Sequence, residues 1–221
     1  MKDLFLQRGF TAQIRAAGEE GGGSVIEGLA AVCEQETTIA SMWGDFNEVI
    51  RAGAFDETDF TDVRLLVNHD FNGIALARSR RNNTSDKPNT MQLYADKDGV
   101  NIKADLDVEH NEQARSLYSA IKRGDMDGMS FCFYVSEENQ RWTHRADGVD
   151  LREILKVDKV IEVSVVNFPA YGGTNIDARS LESDKRSLDS YRKMLDSRKA
   201  QEEEIEVLKL KNQILSKKGE K

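Results

Sequence analysis

The feature of this sequence that most limits its fold is how its apolar residues are parcelled. Up to about residue 168 they come in short runs, many alternating with polar residues and separated by Gly, Asn and Asp. Alternation with a period of two is the signature of strands with one face buried. The segment "RGFTAQIRA" (8–16) reads as a strand, "AGEEGGGS" (17–24) as a glycine-rich reversal, and "VIEGLAAVCE" (25–34) as the returning strand. In "MQLYADKDGVNIKADLD" (91–107) two alternating runs flank "DKDG", a hairpin signal. Further strands are predicted at "DVRLLVNHD" (62–70), "MSFCFYV" (129–135), "VDLREIL" (149–155) and "KVIEVSVVNF" (159–168). "FNEVIRAGAFDET" (46–58) reads as a short apolar run, a glycine break and a helical turn, and "RSRRNNTSDKPNT" (78–90) as a polar loop. Only "EHNEQARSLYSAIKRGD" (109–125) changes period. Ala114, Leu117, Tyr118 and Ile121 fall on one helical face, and Gly124 is the expected stop. Many short strands with one helix between them favour a mainly β fold, a closed or nearly closed β-barrel decorated by α-helices. A doubly wound α/β sheet needs regular strand–helix alternation, which is missing.

The composition shifts near Ala178. The segment from there to Lys221 has no proline and Gly219 as its one glycine. Leu181, Leu188 and Leu195 are spaced by seven, as are Leu208 and Leu215, while Arg198 and Glu202 interrupt the stripe. This predicts a long charged helix with coiled-coil character in two short blocks. The expected division is therefore a domain over 1–177 and a charged helical tail over 178–221. Two readings of the tail stand: a solvated segment, or a docking helix for a partner.

Charge excludes some functions. The net charge is −8, so neither nucleic acid nor an anionic membrane is expected as the main partner. The basic cluster "ARSRR" (77–81) is too short to reverse this. No apolar stretch approaches the roughly 20 residues that span a bilayer, and the N-terminus lacks an apolar signal core. An intracellular, soluble protein is expected. The two cysteines, Cys33 and Cys132, make no disulfide framework, and no HxxxH, HxH or CxxC pair occurs. No metal and no cofactor are expected.

The residues that can do chemistry are few. Of the histidines, His69 ends an apolar strand among polar neighbours; His110 opens the helix, and His144 falls in a loop. Ser130 stands between a glycine turn and an aromatic strand. A serine is a weak nucleophile that needs a base within hydrogen-bond reach, and the base needs an orienting acceptor. Glu162, an acid within a β-branched run, is the first candidate for that acceptor, and Glu153 in "LREIL" is the second. A solvent-facing strand position is the alternative for Glu162, and a polar position on a wet strand face is the alternative for Ser130.

Four motifs raise this set above coincidence. "FNEVIRAGAFDET", "DVRLLVNHD", "AIKRGDMDGMSFCFYV" and "EVSVVNFPAY" occur in this order. Together, from about Gly9 to Tyr171, they resemble the prohead (procapsid maturation) serine proteases of tailed bacteriophages. The resemblance implies a barrel fold like that of the herpesvirus maturational proteases. It implies His69 as general base, Ser130 as nucleophile and Glu162 as the third member. It implies a serine endopeptidase acting in the host cytoplasm, inside the assembling procapsid. The implied partners are the major capsid protein with its scaffolding segment, or a separate scaffold protein, and the protease itself through self-cleavage or homo-oligomer formation. Two positions depart from the pattern. The loop after His69 is enlarged, and Cys132 stands where glycine is usual, on the same strand face as Ser130. The turn "FPAYGGT" (168–174) is the expected source of oxyanion-binding amides, since glycines let the backbone approach closely. Two other functions compete: a non-catalytic capsid-assembly protein retaining the fold, and an esterase-like hydrolase, whose GxSxG elbow is missing here.

Overall fold

The computed structural model describes residues 3–10, 14–18, 24–41, 43–168 and 178–219. In chain order the first strands are β1 (Leu4–Phe10), β2 (Arg15–Gly18), β3 (Ser24–Val32), β4 (Thr37–Ile39), β5 (Phe46–Ile50), β6 (Arg64–Val67) and β7 (Ala77–Arg78). Then come β8 (Met91–Asp96), β9 (Gly99–Leu106), helix α1 (Glu112–Arg123) and β10 (Gly128–Val135). The chain continues through β11 (Gln140–His144), β12 (Asp150–Ile154), β13 (Lys159–Val166) and helix α2 (Ala178–Gly219). It forms two compact units, 1–183 and 184–221, the second being helical.

The mainly β character with helices is as the patterning predicts. The strands form three sheets in the orders β1-β10-β13-β6-β7, β11-β12-β5-β4 and β2-β3-β9-β8. None of these closes into a barrel among the described residues. The predicted strand over 8–16 is in fact two. β1 pairs with β10 and β2 pairs with β3, so the run divides between two sheets. Alternation continues through such a division, which hides it from the sequence. The stretch around His144, read as a loop, is strand β11. It pairs antiparallel with β12, and His144 Nδ1 lies 2.8 Å from Asp150 Oδ1. The region after β5 forms turns rather than a helical turn.

Local chemistry explains the elements that matter for the site. The Asn111 side chain caps α1 by accepting from the amides of Gln113 and Ala114, at 3.0 and 3.3 Å. Gly124 ends it in the left-handed region, at φ 75°. Ala114, Leu117 and Ile121 face inward. The β8–β9 hairpin turns through Lys97 and Asp98. A Cβ at Gly99 (φ 145°) would fall 1.9 Å from the Ala31 carbonyl oxygen, so only glycine fits where β9 crosses β3.

β10 is the spine of the first sheet. It lies between β1 and β13 and is buried on both faces except at Tyr134, which is half-buried. One core gathers side chains from all three sheets: Leu4 and Leu6, Phe131 and Phe133, Val163 and Val165, then Ile26, Ile102, Ile50 and Ile154. Phe131 and Phe133 stack with centroids 4.6 Å apart. Burying each ring contributes about 2–3 kcal/mol. The strand period then turns Ser130 and Cys132 to the opposite face of the sheet, away from this core.

Candidate active site

Four polar side chains share that opposite face. β10 and β13 run antiparallel, with Ser130 opposite Ser164 and Cys132 opposite Glu162. Directly opposed residues in such a pair hold their Cβ atoms about 5 Å apart. The ladder thus makes a small rectangle of hydroxyl, thiol, carboxylate and hydroxyl. The register shifts immediately beyond, between Cys132 and Phe133, where Ile161 is the extra residue.

His69 is lifted over this rectangle by the next strand. β6 runs parallel to β13, with Val67 beside Val165, and then stops. Asn68 and His69 both have positive φ, at 51° and 57°. The Asp70 amide bonds back to the Val67 carbonyl at 3.1 Å, which closes a tight turn. Left-handed backbone costs most residues other than glycine about 1–2 kcal/mol, and asparagine less. Here it is held by three contacts. The Asn68 amide donates to the Val165 carbonyl at 3.0 Å, the Asn68 side chain accepts from the Asn167 amide at 3.0 Å, and the His69 amide donates to Ser164 Oγ at 3.1 Å.

The imidazole then bridges two strands. Its Nδ1 lies 2.6 Å from Glu162 Oε1 and its Nε2 lies 2.6 Å from Ser130 Oγ. The Glu162 carboxylate can only accept, so Nδ1 carries the ring proton and Nε2 is left as an acceptor facing the serine. Ser164 donates to Glu162 Oε2 at 2.6 Å. A second link therefore runs from the His69 amide through Ser164 to the same carboxylate. Glu162 is 1% exposed and Ser130 also 1%, while the His69 side chain keeps 13% of its surface open. The single Ser130 proton has two acceptors in range: His69 Nε2, and the Arg8 carbonyl at 2.9 Å. Such an arrangement can move a proton from a hydroxyl to an imidazole beside a fixed negative charge.

The second candidate acid, Glu153, lies in another sheet and is fully engaged there. Its carboxylate accepts from Arg141 at 2.5 and 2.7 Å and from Arg51 at 2.9 and 2.7 Å. Hydrogen bonds from Arg141 and then Arg51 outweigh the opposing effect of burial and hold its pKa down at about 2. His110 is exposed beside Asp107, and His144 beside Asp150. The turn expected to supply oxyanion donors, 168–174, lies outside the described residues from 169 onward.

Sequence reasoning missed Ser164 and the group that braces β1. Arg8 makes a forked pair with Glu48 at 2.5 and 2.9 Å, and Arg152 reaches the same carboxylate at 3.2 Å. Burial alone pushes the Glu48 carboxyl up, but the charges of Arg8 and Arg152 outweigh it and hold it below its ordinary value. Arg8 also supplies the second acceptor for Ser130, so this buried cluster fixes the strand on which that oxygen sits. A signal was present in each case. Ser164 lies two residues from Glu162 and so shares its face, and Arg8, Glu48 and Arg152 are charges within strand-like runs.

Metal-ligand spacing is absent from the sequence, yet the fold gathers such groups. Ligand atoms of His69, Cys132 and Glu162 lie within 4.8 Å of one another, and Cys132 Sγ is 3.7 Å from His69 Nδ1. A cleft of about 710 Å³ opens beside Asn68 and Asp70, the neighbours of His69. Its walls include Val67, Ile74, Leu117 and Met126, so α1 forms one side. Among the described residues no helix is long and apolar enough to cross a membrane.

The model of a family described as caudovirus prohead serine protease matches residues 10–189. Among curated proteins none matches. A solved structure, that of the bacteriophage T4 capsid assembly protease gp21, is similar at 13% identity and a TM-score of 0.41, over 75% of this chain and 99% of that one.

Proposed function

This chain belongs to the caudovirus prohead serine protease family, and on that premise we propose that it is a serine endopeptidase with Ser130 as nucleophile, His69 as general base and Glu162 as the orienting acid. The observation that carries this reading is the unbroken line of 2.6 Å contacts from Glu162 through His69 to Ser130. In the reaction, Ser130 Oγ attacks the peptide carbonyl carbon while Nε2 takes the hydroxyl proton. Glu162 stabilises the imidazolium that results. The imidazolium then protonates the leaving amine, and the C–N bond breaks. A water molecule, deprotonated by the same nitrogen, attacks the acyl-serine and releases the new carboxylate.

The substrates in this reading are the scaffolding segment of the major capsid protein or a separate scaffold protein, and the protease itself. The cleft beside the His69 turn receives the substrate chain. The work takes place inside the assembling procapsid in the host cytoplasm. The segment 178–221 serves as a docking helix, so its removal impairs incorporation into procapsids more than cleavage of a short peptide.

The test is co-expression of the chain with its own capsid protein, followed by product masses. Ser130→Ala and His69→Ala are expected to leave the substrate intact while melting like the wild type. Processing that persists in Ser130→Ala removes that serine from the role.

A further inference from the structure

We propose that His69, Cys132 and Glu162 form a binding site for a zinc ion, and that zinc held there switches the peptidase off. The switching rests on the function proposed above; the binding does not. The ligand set suits zinc, because a thiolate, an imidazole and a carboxylate are the donors that ion selects, with one position left for water. The geometry is close to what a tetrahedral ion needs. Zinc–sulfur and zinc–nitrogen bonds of about 2.3 and 2.0–2.1 Å place the two ligand atoms about 3.6 Å apart. Cys132 Sγ and His69 Nδ1 stand 3.7 Å apart. Glu162 Oε1 is 2.6 Å from Nδ1 and has to retreat by roughly 0.7 Å to the spacing of two ligands on one zinc. Charge favours the ion too. Zinc with one thiolate and one carboxylate is neutral, which a site this buried accommodates better than the lone carboxylate. The open part of the His69 ring gives access.

The protons balance. The Cys132 thiol loses one proton to solvent on forming its bond to zinc. The imidazole stays neutral but changes tautomer: the metal takes the place of the Nδ1 proton, and Nε2 gains one. Nε2–H can no longer accept from Ser130. The serine hydroxyl donates instead to the Arg8 carbonyl, which waits at 2.9 Å. The nucleophile is then intact but has no base.

The binding is read in the full-length Ser130→Ala protein, which keeps all three ligands and has no nucleophile. Cobalt(II) is expected to bind one per chain with a thiolate-to-metal charge-transfer band. Zinc is expected to displace it, and zinc added to the metal-free protein is expected to release one proton per ion, read by calorimetry in buffers of different ionisation enthalpy. Adding Cys132→Ala, or Cys132→Ser if the alanine variant melts early, is expected to remove the band and weaken zinc at least tenfold. In protein with Ser130 intact, zinc is expected to inhibit reversibly. The cysteine variants, each referred to its own metal-free rate, are expected to need at least tenfold more zinc. Absence of the band, or equal zinc affinity with and without the thiol, overturns the site. A Ser130→Ala protein that binds zinc, beside a wild type that cleaves nothing, overturns the protease reading and leaves the metal site standing.

Discussion

Replacing Glu162 by glutamine isolates the contribution of one negative charge, because the side chain keeps its shape. Both carboxylate oxygens are in use: Oε1 accepts from His69 Nδ1 and Oε2 accepts from Ser164, each at 2.6 Å. An amide can accept on one side only. If its oxygen faces His69, its NH2 meets Ser164 Oγ, and the buried Ser164 proton loses its acceptor at a cost of about 1–3 kcal/mol. If its NH2 faces His69, Ser164 stays satisfied, but Nδ1 becomes an acceptor and the ring proton moves to Nε2. Hydrogen-bond accounting therefore favours the orientation in which the imidazole cannot act as base. That preference alone holds back roughly one to two powers of ten, since about 1.4 kcal/mol corresponds to a factor of ten. Loss of the charge that stabilises the imidazolium adds the rest. The corresponding acid-to-amide change in the best-studied serine protease triad lowers kcat by about 10⁴. Glu162→Gln is accordingly expected to fall by about 10³–10⁴ in kcat/KM, or roughly 4–5.5 kcal/mol. The assay is steady-state cleavage of a scaffold-derived peptide, with thermal melting to show that the variant folds. A folded variant retaining more than about a tenth of wild-type kcat/KM would refute the reasoning.

Three further outcomes are expected. Ser164→Ala removes the acceptor of the His69 amide and one donor to Glu162, so kcat should drop about 10–100-fold, equivalent to the 1–3 kcal/mol of a buried unpaired group; an unchanged kcat removes Ser164 from aligning the base. Glu153 has its pKa lowered from 4.5 to about 2, so its stabilising effect is complete above about pH 4.5 and disappears as pH falls toward 2. With solvent around its arginine partners the effect is about 2 kcal/mol, and urea melts of wild type and Glu153→Gln should differ by that much at pH 6 and converge at low pH. Gly99→Ala drives a methyl group into the Ala31 carbonyl at a positive φ and should cost at least about 2–3 kcal/mol in chemical denaturation.

What is legible in the sequence is local. The helical face of Ala114, Leu117 and Ile121 and the Gly124 stop are decided within one stretch of chain, so they can be read there. The "DKDG" hairpin is equally readable. Ser130, His69 and Glu162 stand out through their motifs, but separation along a chain does not fix separation in space, so their meeting is a matter for the fold. The division of 8–16 between two sheets escapes sequence reasoning because alternation is the same whichever sheet a strand joins. Strand β11 escapes it because its polar composition, "QRWTH", suits an exposed edge and reads as loop.

Alternation along a single strand settles which side chains share a face: Ser130 with Cys132, and Glu162 with Ser164. That much is intrinsic to the chain, since the pleat has a period of two whatever lies alongside. Which residue stands opposite which is a property of register, and register between β10 and β13 depends on the packing of the whole sheet and on the offset at Ile161. Slipping the pairing by one residue would turn Glu162 away from Cys132 and leave the imidazole without its acceptor. The left-handed turn that carries His69 over the rectangle suits Asn68 and His69, both residue types enriched at positive φ, but its placement against the rectangle is fixed by contacts from β13 and the residue that follows it.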